Sequence, residues 1–78
     1  MKGEAQLWEI LNDKLETLRA GGRFTEAIRV GETALNLASR IFAQTEPSLG
    51  KSYERLARVY EEQGDHAQAR PHFARALR

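Results

Sequence analysis

Residues 53–76 read YERLARVYEEQGDHAQARPHFARA. Tyr53, Leu56, Ala57 and Tyr60 fall at spacings of three, one and three, so they share one helical face. Gly64 interrupts the pattern and suits a left-handed C-terminal cap. Asp65 follows, where it can cap the next helix. Ala69, Phe73 and Ala76 then resume the three–four rhythm, with Leu77 beside them. The stretch therefore predicts two helices joined by a glycine turn, over about residues 47–63 and 66–77. Pro71 breaks a local rule: past the first turn, it removes one backbone hydrogen bond, to Ala67. Either that helix starts later or it is kinked.

Working outward, the same arrangement recurs. Gly22 lies 42 residues before Gly64. At that offset Ala27 falls on Ala69, Ala34 on Ala76 and Leu35 on Leu77, while Leu7 falls on Leu49, Leu11 on Tyr53 and Leu18 on Tyr60. A fixed period of this size indicates stacked helix pairs. Leu7, Trp8, Leu11, Leu15 and Leu18 mark a first helix over about 4–20. Phe24, Ala27, Ile28, Gly31, Ala34, Leu35, Ala38, Ile41 and Phe42 mark a second over about 24–43. Thr45-Glu46-Pro47 opens the third, with proline near its first position, where a missing N–H is harmless. No stretch alternates with period two. The expected architecture is all-α: two stacked antiparallel helix hairpins, four helices in a single domain over 1–78. Unit 1 covers 4–46, and unit 2 covers 47–78 with a short second helix.

In spacing, Tyr53, Leu56, Ala57, Tyr60, Gly64, Ala69, Phe73 and Ala76 resemble the tetratricopeptide repeat. The longer 42-residue period, with Glu46-Pro47, Leu56-Ala57-Arg58-Val59-Tyr60, Gln63-Gly64, Ala69-Arg70-Pro71 and Arg75-Ala76-Leu77, is similar to the kinesin-light-chain type. In that type a proline is frequent at the place of Pro71, which keeps the helix reading. The resemblance covers about residues 7–78. Unit 1 departs from it: Lys14 holds the usual leucine place, Leu15 the small place and Gly31 the aromatic place.

Composition narrows the function. The chain has 78 residues, no cysteine, and 12 Lys+Arg against 11 Asp+Glu, a net charge of +1. Disulfides, zinc-thiolate sites and thiol nucleophiles are excluded. The charge balance lacks the basic footprint of a nucleic-acid binder and the high net charge of a disordered chain. No apolar run approaches the roughly 20 residues of a membrane span, and Met1 to Gln6 does not resemble a signal peptide. A reducing cytoplasm is the default location. A core this small is marginal, so oligomerisation or attachment to more chain is expected to support it.

No catalytic constellation stands out, and no HExxH, GxGxxG, P-loop or GxSxG occurs. His66 and His72, six apart, do not share a helix face as metal ligands four apart would, and read as surface or rim residues. Glu9, Asp13 and Glu16 share a helix face, which a solvated surface explains. Arg70, Arg75 and Arg78 are too few for a nucleic-acid surface, and the resemblance gives Arg75 a structural role. Trp8, Tyr53 and Tyr60 read as packing residues. No enzyme activity, cofactor, metal, nucleic acid or membrane partner is expected.

What the resemblance does imply is a concave groove, lined by the first helix of each pair, that binds a peptide or partner protein. By position its lining would be Glu9, Asn12, Glu16 and Arg19 from unit 1, with Lys51, Glu54, Arg55, Arg58 and Glu61 from unit 2. An acidic strip would face the basic Lys51, Arg55 and Arg58. The family's clamp for C-terminal carboxylates needs Lys and Asn at set places. Asn12 alone matches poorly, and Glu16 stands where a neutral amide belongs. Two units also offer less area than the ~800 Å² per partner of a standard interface. The alternative is a self-assembling structural element, with Trp8, Leu18, Phe73 and Leu77 covering apolar end faces across a dimer, or a helix pair exchanged at the loop 44–50. Two units of 42 would need 84 residues, so the length reads as an array stopped about six residues short, with more chain or another copy covering the end.

Overall fold

The computed structural model describes residues 2–43 and 45–77. Readings placed on Met1, Gln44 and Arg78 lie outside the described residues. Four helices follow in order: α1 (Lys2–Ala20), α2 (Phe24–Ile41), α3 (Pro47–Gln63) and α4 (His66–Ala76). No strand occurs among the described residues, and no helix there is long and apolar enough to cross a membrane. Each helix packs on the next, α1 on α2, α2 on α3 and α3 on α4.

The two glycine turns are built alike. Gly22 has φ 76° and Gly64 has φ 92°, a region where a side chain would be strained. After α1, Arg23 N–H donates to Leu18 O at 2.9 Å; after α3, Asp65 N–H donates to Tyr60 O at 2.8 Å. Both bonds close six-residue loops over the last helical turn and satisfy carbonyls that the helix leaves free. Asp65 then caps α4, its carboxylate accepting from Gln68 N–H at 3.2 Å. Arg23, at the matching place in unit 1, makes no side-chain cap bond.

Helix limits differ from expectation at three ends. α1 begins at Lys2 rather than 4, since Lys2 and Gly3 do not break the helix. α2 stops at Ile41 instead of 43, because Phe42 turns extended (φ −112°, ψ 143°) and sets its ring edge-on to Trp8, 5.0 Å between centroids. α4 ends at Ala76, one residue early, and spans 11 residues against 18 in α2. It runs unbroken through Pro71, whose missing donor faces an exposed part of the helix.

The departures of unit 1 from the repeat pattern compensate one another. Leu15 is 1% exposed and Leu56 is fully buried. A Cβ added to Gly31 would meet Leu15 Cδ1 and Leu56 Cδ1, each at 2.8 Å. The large residue at Leu15 thus fills space that an aromatic side chain at Gly31 would otherwise occupy. In unit 2 the sizes are exchanged: buried Ala57 holds the small place and Phe73 the aromatic one.

One helical stripe needs correction. Leu7 was expected on the inner face of α1 but is 47% exposed. The buried positions are Trp8, Asn12 and Leu15, while Leu11 and Leu18 are half-buried. The face of α1 turned toward both α2 and α3 is rotated by about one residue from the leucine stripe.

Gly31→Ala should gain up to about 1 kcal/mol in helix propensity yet lose about 1–3 kcal/mol to overpacking, for a net loss in urea denaturation. Combined with Leu15→Ala, the pair should be less damaging than the sum of the two changes, because the truncated leucine vacates the space the new methyl needs.

Candidate interaction site

Helices α1 and α3 run side by side. Their cross-links rise together in sequence, from Trp8 with Ser52 to Glu16 with Arg55 and Arg19 with Glu62, so the two helices are parallel. The Trp8 indole N–H donates to Ser52 Oγ at 2.7 Å in a buried setting. Arg19 donates to Glu16 at 2.7 Å and to Glu62 at 3.1 Å. These bonds, the one to Glu16 foremost, hold its guanidinium further toward the charged form. Glu16 also reaches Arg55, at 3.9 Å, and Arg58 pairs with Glu54 at 3.0 Å.

Most expected groove residues lie on this side. Glu16, Lys51, Glu54, Arg55 and Arg58 line a depression of about 250 Å³. Glu9 and Glu61 are exposed and stand outside its lining. Arg19 lies further along, tied to Glu16 and Glu62. Asn12 was expected on the groove surface but is only 5% exposed. Neither its amide nitrogen nor its oxygen has a hydrogen-bond partner. It lies one turn from Trp8 and one turn from Glu16, so it sits beneath the seam where α1 meets α3.

The residues expected at end faces divide. Trp8 is committed to the core of its own chain, between Ser52 and Phe42, and is 8% exposed. It therefore does not belong to an open face. Leu18 is half-buried against the Leu15 cluster, and Phe73 against Leu56, Tyr60 and Ala69. Leu77 is 87% exposed.

Two parallel helices on one side of the stack, two second helices behind, and a repeated glycine turn make an arrangement that can be compared with known families. The tetratricopeptide-repeat family matches residues 9–78. This chain is a tetratricopeptide-repeat protein. No curated protein and no solved structure matches the chain.

In this tetratricopeptide array several contacts were not anticipated. The Tyr60 hydroxyl donates to Glu32 Oε2 at 2.8 Å. Burial, and then the bond to Glu32, push the Tyr60 phenol up to about 12 from its ordinary 10.0. His72, expected as a rim residue, is half-buried with its ring 5.3 Å from Tyr60 and 6.1 Å from Tyr53. Arg75 lies over the other end of this row, 5.8 Å from the Tyr53 centroid. The spacing of Tyr53, Tyr60 and His72 gave no warning, because the stack forms only when α4 folds back on α3. The Arg19–Glu62 pair was also missed, because its partners lie on different helices.

A depression of about 630 Å³ lies at the end of the stack beyond α3 and α4, lined by Leu49, Gly50, Lys51, Tyr53, Glu54 and Ala76 among others. A Cβ on Gly50 would come within 3.1 Å of the Ala76 carbonyl, so glycine allows these two helix ends to close together.

Ser52→Ala leaves the buried indole donor of Trp8 unpaired and should cost about 1–3 kcal/mol, with a shift in tryptophan emission as the check. Tyr60 favours its neutral form when folded, so its contribution is complete below pH 10 and is lost as pH rises through about 12. Tyrosinate absorbance should show one late-ionising group, absent in Tyr60→Phe.

Proposed function

We propose that the protein is a non-enzymatic interaction module that takes a peptide or an extended segment of a partner protein along the α1–α3 side. The observation that carries this reading is the charged depression beside the α1–α3 seam, with three cations, Lys51, Arg55 and Arg58, and two carboxylates, Glu16 and Glu54. The excess of positive charge favours an acidic segment there. The pairs that line it are part-exposed and worth about 0–1 kcal/mol each, so a ligand can exchange partners with them at little cost. The buried Asn12 amide beneath the seam has neither its donors nor its acceptor partnered, which costs about 1–3 kcal/mol, and Leu or Met would fill the place without that loss. The 42-residue period and the proline at Pro71 further support a kinesin-light-chain kind of repeat.

Binding of a fluorescein-labelled acidic decapeptide, followed by anisotropy, tests the reading against a basic decapeptide of the same length. The acidic probe should bind more tightly, with affinity falling as salt rises. Arg55→Glu with Arg58→Glu should reverse the preference. Asn12→Leu should raise thermal stability, because no buried amide is then left unpartnered. Equal affinity for the two peptides, or no binding of either, would overturn the reading.

A further inference from the structure

Helices α2 and α4 border a third depression, of about 310 Å³, that shares no lining residue with the α1–α3 depression. Tyr53 and Arg75 divide it from the depression around Gly50, since they line both.

It differs from the other two in charge. Those contain Glu54, with Glu16 in one and Glu46 in the other. This one has no carboxylate in its lining and one permanent cation, Arg75. The Arg75 guanidinium lies 5.8 Å from the Tyr53 centroid and forms no ion pair among the described residues. Its own helix supplies no neutralising charge, because α4 carries two arginines and no acid. The acids of α2 are engaged elsewhere, Glu26 with Arg23 and Glu32 with the Tyr60 hydroxyl. An anion from outside is the partner this arginine lacks.

The rest of the lining favours a flat molecule. The Tyr53 and His72 rings stand 6.1 Å apart and are inclined at 53°, like two walls of a corner. His72 Nδ1 donates to Gln68 O at 2.8 Å, which holds that ring in place. Leu35 and the Pro71 ring complete the apolar part. On the polar side, the Ser39 hydroxyl is spent on Leu35 O at 3.0 Å. That leaves the exposed Asn36 amide as a free neutral donor beside Arg75. A guanidinium fork next to ring faces suits a carboxylate borne on an aromatic ring. The volume selects a compact ligand, since it falls at the lower end of the ~300–1,000 Å³ of small-molecule sites.

We propose that the α2–α4 depression binds a small aromatic carboxylate, its acid on Arg75 and Asn36 and its ring against Tyr53, His72 and Pro71. The site uses none of the cations of the α1–α3 depression, so this binding and the peptide reading can fail independently.

Titration of the isotopically labelled chain with benzoate, followed by nuclear magnetic resonance, tests it. Shifts should centre on the Asn36 side-chain amide and the His72 ring, and saturate at about millimolar concentration, as a ligand of so few atoms allows. Benzamide keeps the shape without the charge, and acetate keeps the charge without the ring; each should bind about tenfold more weakly or worse. Arg75→Gln and Asn36→Asp change exposed side chains, and circular dichroism checks that both variants stay folded. Each should weaken benzoate by about tenfold or more. Arg58→Gln should leave benzoate binding unchanged while weakening the acidic decapeptide. A hexapeptide ending in phenylalanine carries the same ring and acid on a longer chain, and should bind no more tightly than benzoate. The proposal is overturned by shifts that do not saturate or that centre on Lys51 and Arg58, by equal binding of benzamide, or by Arg75→Gln binding like the wild type. A clear preference for the hexapeptide also overturns it, because the site would then read a chain end instead of a compact acid.

Discussion

Two leucines from different helices meet over one glycine, and the rest of the molecule is arranged around that contact. Leu15 of α1 and Leu56 of α3 both place a methyl where a Cβ on Gly31 would stand. Glycine inside a helix costs about 1 kcal/mol against alanine, so its presence in the middle of α2 reflects the approach it permits. With α2 indented at this point, α1 and α3 straddle it and come into register with each other. The Trp8–Ser52 bond lies about two turns before Leu15 and the Glu16–Arg55 pair starts at its neighbour, and both follow from that register. A bulky residue at Gly31 would hold the hairpins apart and open the seam.

The seam between α1 and α3 differs in character from the other helix contacts. Between α1 and α2 the contact is made by apolar residues such as Leu15, Ala27, Ala34 and Leu37. Between α1 and α3 apolar contacts, Leu15 with Val59 and Trp8 with Leu49, are joined by an indole–hydroxyl bond, ion pairs and an unpartnered amide. Apolar burial carries the stability of the stack, while the polar seam adds little to it and fixes which groups face outward.

Much of this was legible in the sequence, for identifiable reasons. Helices α2 and α3 bury a continuous stripe, so the three–four rhythm of Ala27, Ala34 and Ala38, and of Leu49, Leu56 and Tyr60, could be read directly. Both positive-φ glycines sit where a break in the rhythm put them. The departures at Leu15 and Gly31 were visible, but their mutual compensation was not, because it involves a third residue on another helix. Asn12 was assigned to the groove surface, and Trp8 to an end face under the self-assembly alternative, for a related reason. On α1 the leucines outnumber the other apolar residues and pull the apparent stripe toward Leu7, whereas the helix is oriented by two neighbours on one side. Lys51, Glu54, Arg55 and Arg58 along α3 share one depression with Glu16, whereas the Arg19–Glu62 pair and the burial of Asn12 escaped because both depend on how α1 lies beside α3.

The smallest helix carries a consequence for how the molecule fluctuates. α4 has 11 residues, an internal proline and a single fully buried side chain, Ala69. A helix that short is marginal without tertiary support, and in a linear stack each element is supported only by its neighbours. Opening of α4 therefore requires the loss of one set of contacts, whereas opening of α2 requires the loss of two. Local unfolding should start at this end and exchange its amides first. The Tyr53–His72–Tyr60 row and the depression at Gly50 exist only while α4 is closed. Any molecule that occupies that end thus draws α4 out of its opening equilibrium, and binding there is inseparable from completion of folding.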